Sequence, residues 1–127
     1  MKPSIRRQKP ADEFYIAEGC HIIEVSNSAD DPDASIARAR LEPGKITRWH
    51  RLVGIAERYV IVQGRGRAEI GTLPPAEVTV GDVVLIPPGY RQRITNTGAD
   101  DLIFLAICTP RFSYDAYEDI DDKPAEL

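Results

Sequence analysis

Turn-forming residues punctuate this chain at short, even intervals, and that spacing leaves room for strands but not for helices. Asp30-Asp31-Pro32-Asp33, Pro43-Gly44, Gly64-Arg65-Gly66, Pro74-Pro75, Pro87-Pro88-Gly89 and Asn96-Thr97-Gly98 all read as turns. Glycine supplies positive φ at such places, and proline cannot donate to a sheet ladder. Between the turns lie short runs rich in β-branched and aromatic residues. Strands are expected at Phe14–Ala17, His21–Ser26, Ser35–Leu41, Ile46–His50, Glu57–Gln63, Gly66–Ile70, Glu77–Val80, Asp82–Ile86, Gln92–Asn96 and Leu102–Cys108. No stretch before Pro110 has the 3.6-residue apolar period of a long helix. The expected fold class is all-β, with two packed antiparallel sheets.

Several of these strands are apolar on both faces, among them Tyr59 to Val62, Val83 to Ile86 and Leu102 to Ile107. A strand with one face in water should alternate. One face fills the interior; the other needs a second sheet, the C-terminal segment or another subunit, and a homodimer is the expected partner state. The 127 residues argue for one domain, and a hydrophobic share of 43% supports a real core. A formal net charge of −4 argues against a nucleic-acid binder, which needs a basic face. No apolar run approaches the roughly 20 residues that span a bilayer. The N-terminal segment is basic but lacks the apolar core of a signal peptide, so a cytoplasmic location is expected. Cys20 and Cys108, far apart and outside any CxxC, read as two free thiols.

Residues 1–18 read as an N-terminal arm, its first 13 residues loose, and either a solvated tail or a strand that pairs with another subunit. Residues 19–112 read as the barrel. Residues 113–127 form an acidic tail, in which Ser113 could cap a short helix running through Ile120 and packing Phe112, Tyr114 and Tyr117 on the barrel. The last seven residues are expected to fray.

Two segments carry a family resemblance. Gly44, His50, Glu57 and Gly64 fall in one spaced set, and Gly81, Pro87, Gly89 and Asn96 in a second. Together they resemble the two halves of the cupin signature. That resemblance implies a double-stranded β-helix, or jelly-roll, barrel. It also implies a metal site at the positions of His50, residue 52, Glu57 and residue 92. Here Leu52 and Gln92 stand where the family places histidines. The implied ligands are therefore His50, Glu57 and Gln92, with Leu52, Tyr59 and Arg48 around the pocket. Such a set suits iron, nickel, manganese or zinc, held weakly or not at all, because Leu52 has no lone pair and an amide oxygen is a weak donor. The alternative is a hydrogen-bonded polar cluster of the same residues.

Tyr59 shares a strand face with Glu57, and Arg48 is in phase with His50. Two of Arg38, Arg40, Arg48, Arg51, Arg58, Arg91 and Arg93 could clamp an anion. His21, beside Cys20, reads as a surface or subunit-contact residue. Gly64-Arg65-Gly66-Arg67 reads as a hairpin turn and not as a phosphate loop, since no helix follows it. The family includes metal-dependent dioxygenases and isomerases as well as non-catalytic ligand binders, and fold does not decide among them. The leading reading is a barrel that binds a small oxygenated or anionic molecule, with a degenerate metal site and no assignable reaction. The alternatives are a metal-dependent dioxygenase or isomerase using His50, Glu57 and Gln92, and metal-free acid–base catalysis by Glu57 and His50.

Overall fold

A computed structural model describes residues 1–122. The strands are β1 (Phe14–Tyr15), β2 (His21–Ser26), β3 (Ser35–Leu41), β4 (His50–Leu52), β5 (Ala56–Gln63), β6 (Arg65–Ile70), β7 (Ala76–Thr79), β8 (Val83–Ile86), β9 (Gln92–Asn96), β10 (Leu102–Thr109) and β11 (Tyr117–Asp119). They form a six-stranded sheet, β1-β2-β3-β10-β5-β8, and a five-stranded sheet, β11-β4-β9-β6-β7. All pairings are antiparallel. The fold is all-β, as the turn spacing implied, and is the double-stranded barrel that the family resemblance implied. No helix among the described residues is long and apolar enough to cross a membrane.

Alternation fixes which side chains face inward. Along β5, Glu57, Tyr59 and Ile61 are buried while Arg58 and Val60 are only half-buried. Along β8, Val84 and Ile86 are buried and Val83 and Leu85 exposed. The inward faces build two apolar clusters. The larger includes Leu41, Ile61, Ile94, Leu102 and Phe104. The smaller, Leu52, Ile55 and Cys108, receives Phe112, Ala116 and Tyr117 from the tail. The candidate site draws its wall from both.

Three expectations are corrected. Strand β4 begins at His50 and not at Ile46. Ile46 makes a single bridge to Thr95. The next two amides then diverge, Thr47 N donating to Ile94 O at 3.0 Å and Arg48 N to Glu18 O at 2.9 Å, so no ladder continues. Gly64 to Arg67 is not a hairpin, because β5 and β6 lie in different sheets and the chain crosses between them there. Glycine is required by close approach: a Cβ at Gly64 would lie 2.7 Å from Asp101 O, and one at Gly66 2.6 Å from Thr95 O.

The tail is the third correction. Ser113 does cap, its Oγ accepting from Asp115 N at 3.4 Å, but the turn it starts is a 3-10 turn over Tyr114–Ala116 only. The chain then extends as β11, with Tyr117 opposite Leu52 and Asp119 opposite His50. Ladder bonds to β4, reinforced by Arg51–Glu118 at 2.9 Å and Arg48–Asp119 at 2.6 Å, replace the expected helix through Ile120. Of the segment expected to fray, residues 123–127 lie outside the described residues.

The N-terminal arm is exposed through Asp12 and turns at Pro10–Asp12. Glu13 then anchors it, meeting Arg40 Nη2 at 2.6 Å and Arg38 Nη1 at 3.4 Å on the outer face of β3.

Candidate functional site

His50, at the start of β4, is 2% exposed, and both of its ring nitrogens are engaged. Nδ1 lies 2.7 Å from the Arg48 carbonyl oxygen, which can only accept, so Nδ1 carries a hydrogen. Nε2 lies 3.0 Å from Oε1 of Glu18. That contact also needs a proton between the two atoms, on the imidazole as an imidazolium or on the carboxyl as an acid. The pair therefore shares one proton, and Tyr117 of β11 stacks on the ring with centroids 5.3 Å apart.

Glu57 enters from β5. Its carboxyl is buried, with the Cys108 thiol donating to Oε2 at 3.6 Å. Burial pushes it up to about 7, and the neighbouring Glu18 charge adds to that rise; His50, Gln92 and Cys108 oppose it. Gln92, opposite His50 on β9, accepts from the Tyr59 hydroxyl through Oε1. Its Nε2 has no hydrogen-bond partner of ordinary geometry, yet the amide sits close enough to Glu57 to favour the charged carboxylate. Tyr59 packs on Phe104 at a centroid distance of 4.4 Å, and burial, with the charge of Glu57, holds its phenol well above the ordinary range. Both thiols are held protonated. Burial raises Cys20, whose sulfur donates to Glu18 Oε2 at 3.4 Å, and burial and then the Glu57 charge raise Cys108.

Several of these groups line a cavity of about 110 Å³ that touches both apolar clusters. Glu18, His50, Leu52, Glu57 and Tyr59 line it, together with Phe112, Tyr114 and Tyr117 from the tail. The structure thus brings together four of the six residues expected at the site. Gln92 is buried, bonded to Tyr59, and outside the lining. Arg48 is also outside it: its guanidinium turns to Asp119 at 2.6 Å and Asp121 at 3.7 Å.

The other arginines near the signature are held elsewhere too. Arg38 and Arg40 pair with Glu13, and Arg58 donates to Thr109 Oγ1 at 2.7 Å. Arg91 and Arg93 flank the Trp49 ring at 4.1 and 4.3 Å. Among the described residues, no arginine or lysine lines the cavity. His21 is a half-exposed ion-pair residue, 2.7 Å from Glu42.

Glu18 is the residue that the sequence did not single out. It sits in the turn between β1 and β2, outside both halves of the signature, and only tertiary contact places it on His50. The signature's Asn96 serves the turn instead of the site, donating to Leu41 O and Asp100 O at 2.8 Å each.

The donor set does not fit a resident divalent metal. A metal at His50 would have to displace the shared proton on Nε2 or the carbonyl bond at Nδ1. Gln92 Oε1 is committed to Tyr59, and Leu52 has no donor atom. Among the described residues, no three His, Cys, Asp or Glu side chains are grouped to hold an ion.

Comparison with known proteins agrees with this architecture. A glucose-6-phosphate isomerase of Pyrococcus abyssi is 30% identical over 123 residues, which cover 84% of this chain and 65% of that protein. The chain spans about 60–65% of the length of such relatives. Pac13, a Streptomyces nucleoside dehydratase, superposes with a TM-score of 0.75 at 15% identity, covering 93% of this chain and 92% of that one. A predicted oxalate decarboxylase of Thermotoga maritima gives 0.70 at 25% identity, covering 83% and 93%. The cupin domain model matches residues 37–108, from β3 through β10. With its two-sheet barrel and the glycine frame of both signature halves, this chain belongs to the cupin domain family.

Proposed function

We propose that this barrel binds a small oxygenated organic molecule in the cavity beside Glu18, His50 and Glu57, and that these three groups exchange protons with it. The observation that carries the reading is the 3.0 Å contact of Glu18 Oε1 with His50 Nε2, in the wall that Glu57 also lines. One end of the site can thus give or take a proton while Glu57 does the reverse. A general acid and base held on one cavity suit isomerisation or dehydration of a hydroxylated carbonyl compound. The names of the relatives, an isomerase and a dehydratase, fall in the same range of chemistry. The metal-dependent alternative has less support, because His50 and Gln92 are committed to protein partners. The reading further takes the barrel as a homodimer, which would cover the apolar residues on the outer face of β5 and β8.

The test is a fragment screen of hydroxy- and oxo-compounds against the full chain, observed by protein NMR. Binders should move the signals of Glu18, His50 and Tyr117, and should take up deuterium from D₂O at a carbon next to a carbonyl. Glu57→Gln should stop the exchange while leaving binding. Binders that map away from the cavity would overturn the reading.

A further inference from the structure

The size of the cavity limits what can enter it. It measures about 110 Å³. An apolar cavity of roughly 150 Å³ takes a molecule of benzene's size. The wall here is mostly apolar, with Ile16, Ile22, Ala39, Leu52, Phe104 and Phe112 in it. Of the lining residues, Ala17, Glu24 and Tyr114 are exposed, so they mark the mouth. Glu18, His50 and Glu57 are half-buried or buried. A phosphorylated hexose is too large for such a space.

The handling of charge points the same way. Among the described residues, the arginines near the signature turn away from the cavity. Arg38 and Arg40 are held by Glu13, Arg48 by Asp119 and Arg58 by Thr109. His50 is the basic group in the lining, and both of its ring nitrogens already face protein oxygens, at 2.7 and 3.0 Å. An anion that entered would give up its water and find no cation with a free N–H to receive it. A neutral hydroxyl gives up far less, and it can donate to the carboxyl of Glu18 or Glu57.

Resting on the acid–base reading above, we propose that the ligand of this cavity is a short, uncharged hydroxycarbonyl compound of about benzene's size. Its oxygens meet Glu18 and Glu57, and its alkyl part packs on the apolar wall. Carboxylates are rejected by their charge, and phosphorylated sugars by both charge and size.

Acetoin, lactate, glucose and glucose 6-phosphate test this. Acetoin and lactate are close in size and differ in charge; glucose is neutral but much larger. Each is titrated into the full chain at neutral pH and constant ionic strength, and the NMR signals of His50, Tyr59 and Tyr117 are followed. Acetoin should shift them in a saturable way. Lactate should bind at least about tenfold more weakly. Glucose and glucose 6-phosphate should leave them unmoved. Ala106→Leu, on the cavity side of β10, should weaken acetoin at least about tenfold by filling the space. Because a larger side chain there can disturb folding, the four compounds on the unaltered chain decide the matter by themselves. Lactate binding as tightly as acetoin would overturn the charge selection, and glucose doing so would overturn the size selection. Either result would leave the binding reading standing. If no compound moved a cavity signal, both would fall.

Discussion

Glu57 shows how one buried group ties the site to stability. Its folded-state value of about 7 lies above the ordinary 4.5, so the folded chain holds that proton more tightly than the unfolded chain does. Its contribution is complete below about pH 4.5 and is lost as pH rises through about 7. The difference is roughly 3 kcal/mol, at about 1.4 kcal/mol for each tenfold change in proton affinity. Between about pH 5 and pH 8 the native protein should therefore lose stability, and Glu57→Gln should flatten that slope by about 2–3 kcal/mol in urea unfolding. An unchanged slope would mean that Glu57 is solvated. At this scale the sequence was partly informative. His50, Leu52, Glu57 and Tyr59 reach the cavity because strand alternation and the family spacing place them there. Glu18 was illegible, since its role comes from a turn distant in sequence that folds onto His50. Arg48 was in phase on paper, but Asp119 and Asp121 draw it outward.

Among the elements, the tail makes the largest difference between expectation and structure. Most strand positions were legible because turns bound them on both sides. Strand β11 was not, because Tyr-Glu-Asp has no strand pattern of its own and is extended only by the free edge of β4. Its Tyr117 covers His50, and the 3-10 turn before it places Ala116 on the Leu52, Ile55 and Cys108 cluster. Tyr117→Ala should cost roughly 1.5–3 kcal/mol, below the 3–5 typical of a fully buried aromatic residue because Tyr117 is half-buried. The two thiols give the loss a location. Cys108 should react faster with a thiol reagent in this variant, while Cys20, 0% exposed in the other cluster, should not. Equal acceleration of both would indicate global loosening and not a local opening.

For the molecule as a whole, the outer face of the six-stranded sheet carries the prediction about assembly. The arm covers part of it through Glu13, Arg38 and Arg40. Further along, Val62, Val83 and Leu85 remain 44%, 54% and 68% exposed, and β8 is an edge strand. A two-fold contact would cover this patch with its own copy. Light scattering at micromolar concentration should give twice the chain mass, and Leu85→Lys should move the population toward monomer. A monomeric native protein would leave the apolar edge without this explanation.

The cavity wall is assembled from chain segments that lie far apart in sequence. Ile16 to Glu24 comes from the beginning, His50 to Tyr59 from the middle and Phe104 to Tyr117 from the end. Closing such a wall means ordering both chain ends around the central strands, a long-range step of the kind that slows folding. The pocket should consequently be among the last features to form. A ligand of the proposed kind would then act on the folding equilibrium itself, deepening the native state by RT ln(1 + [L]/Kd).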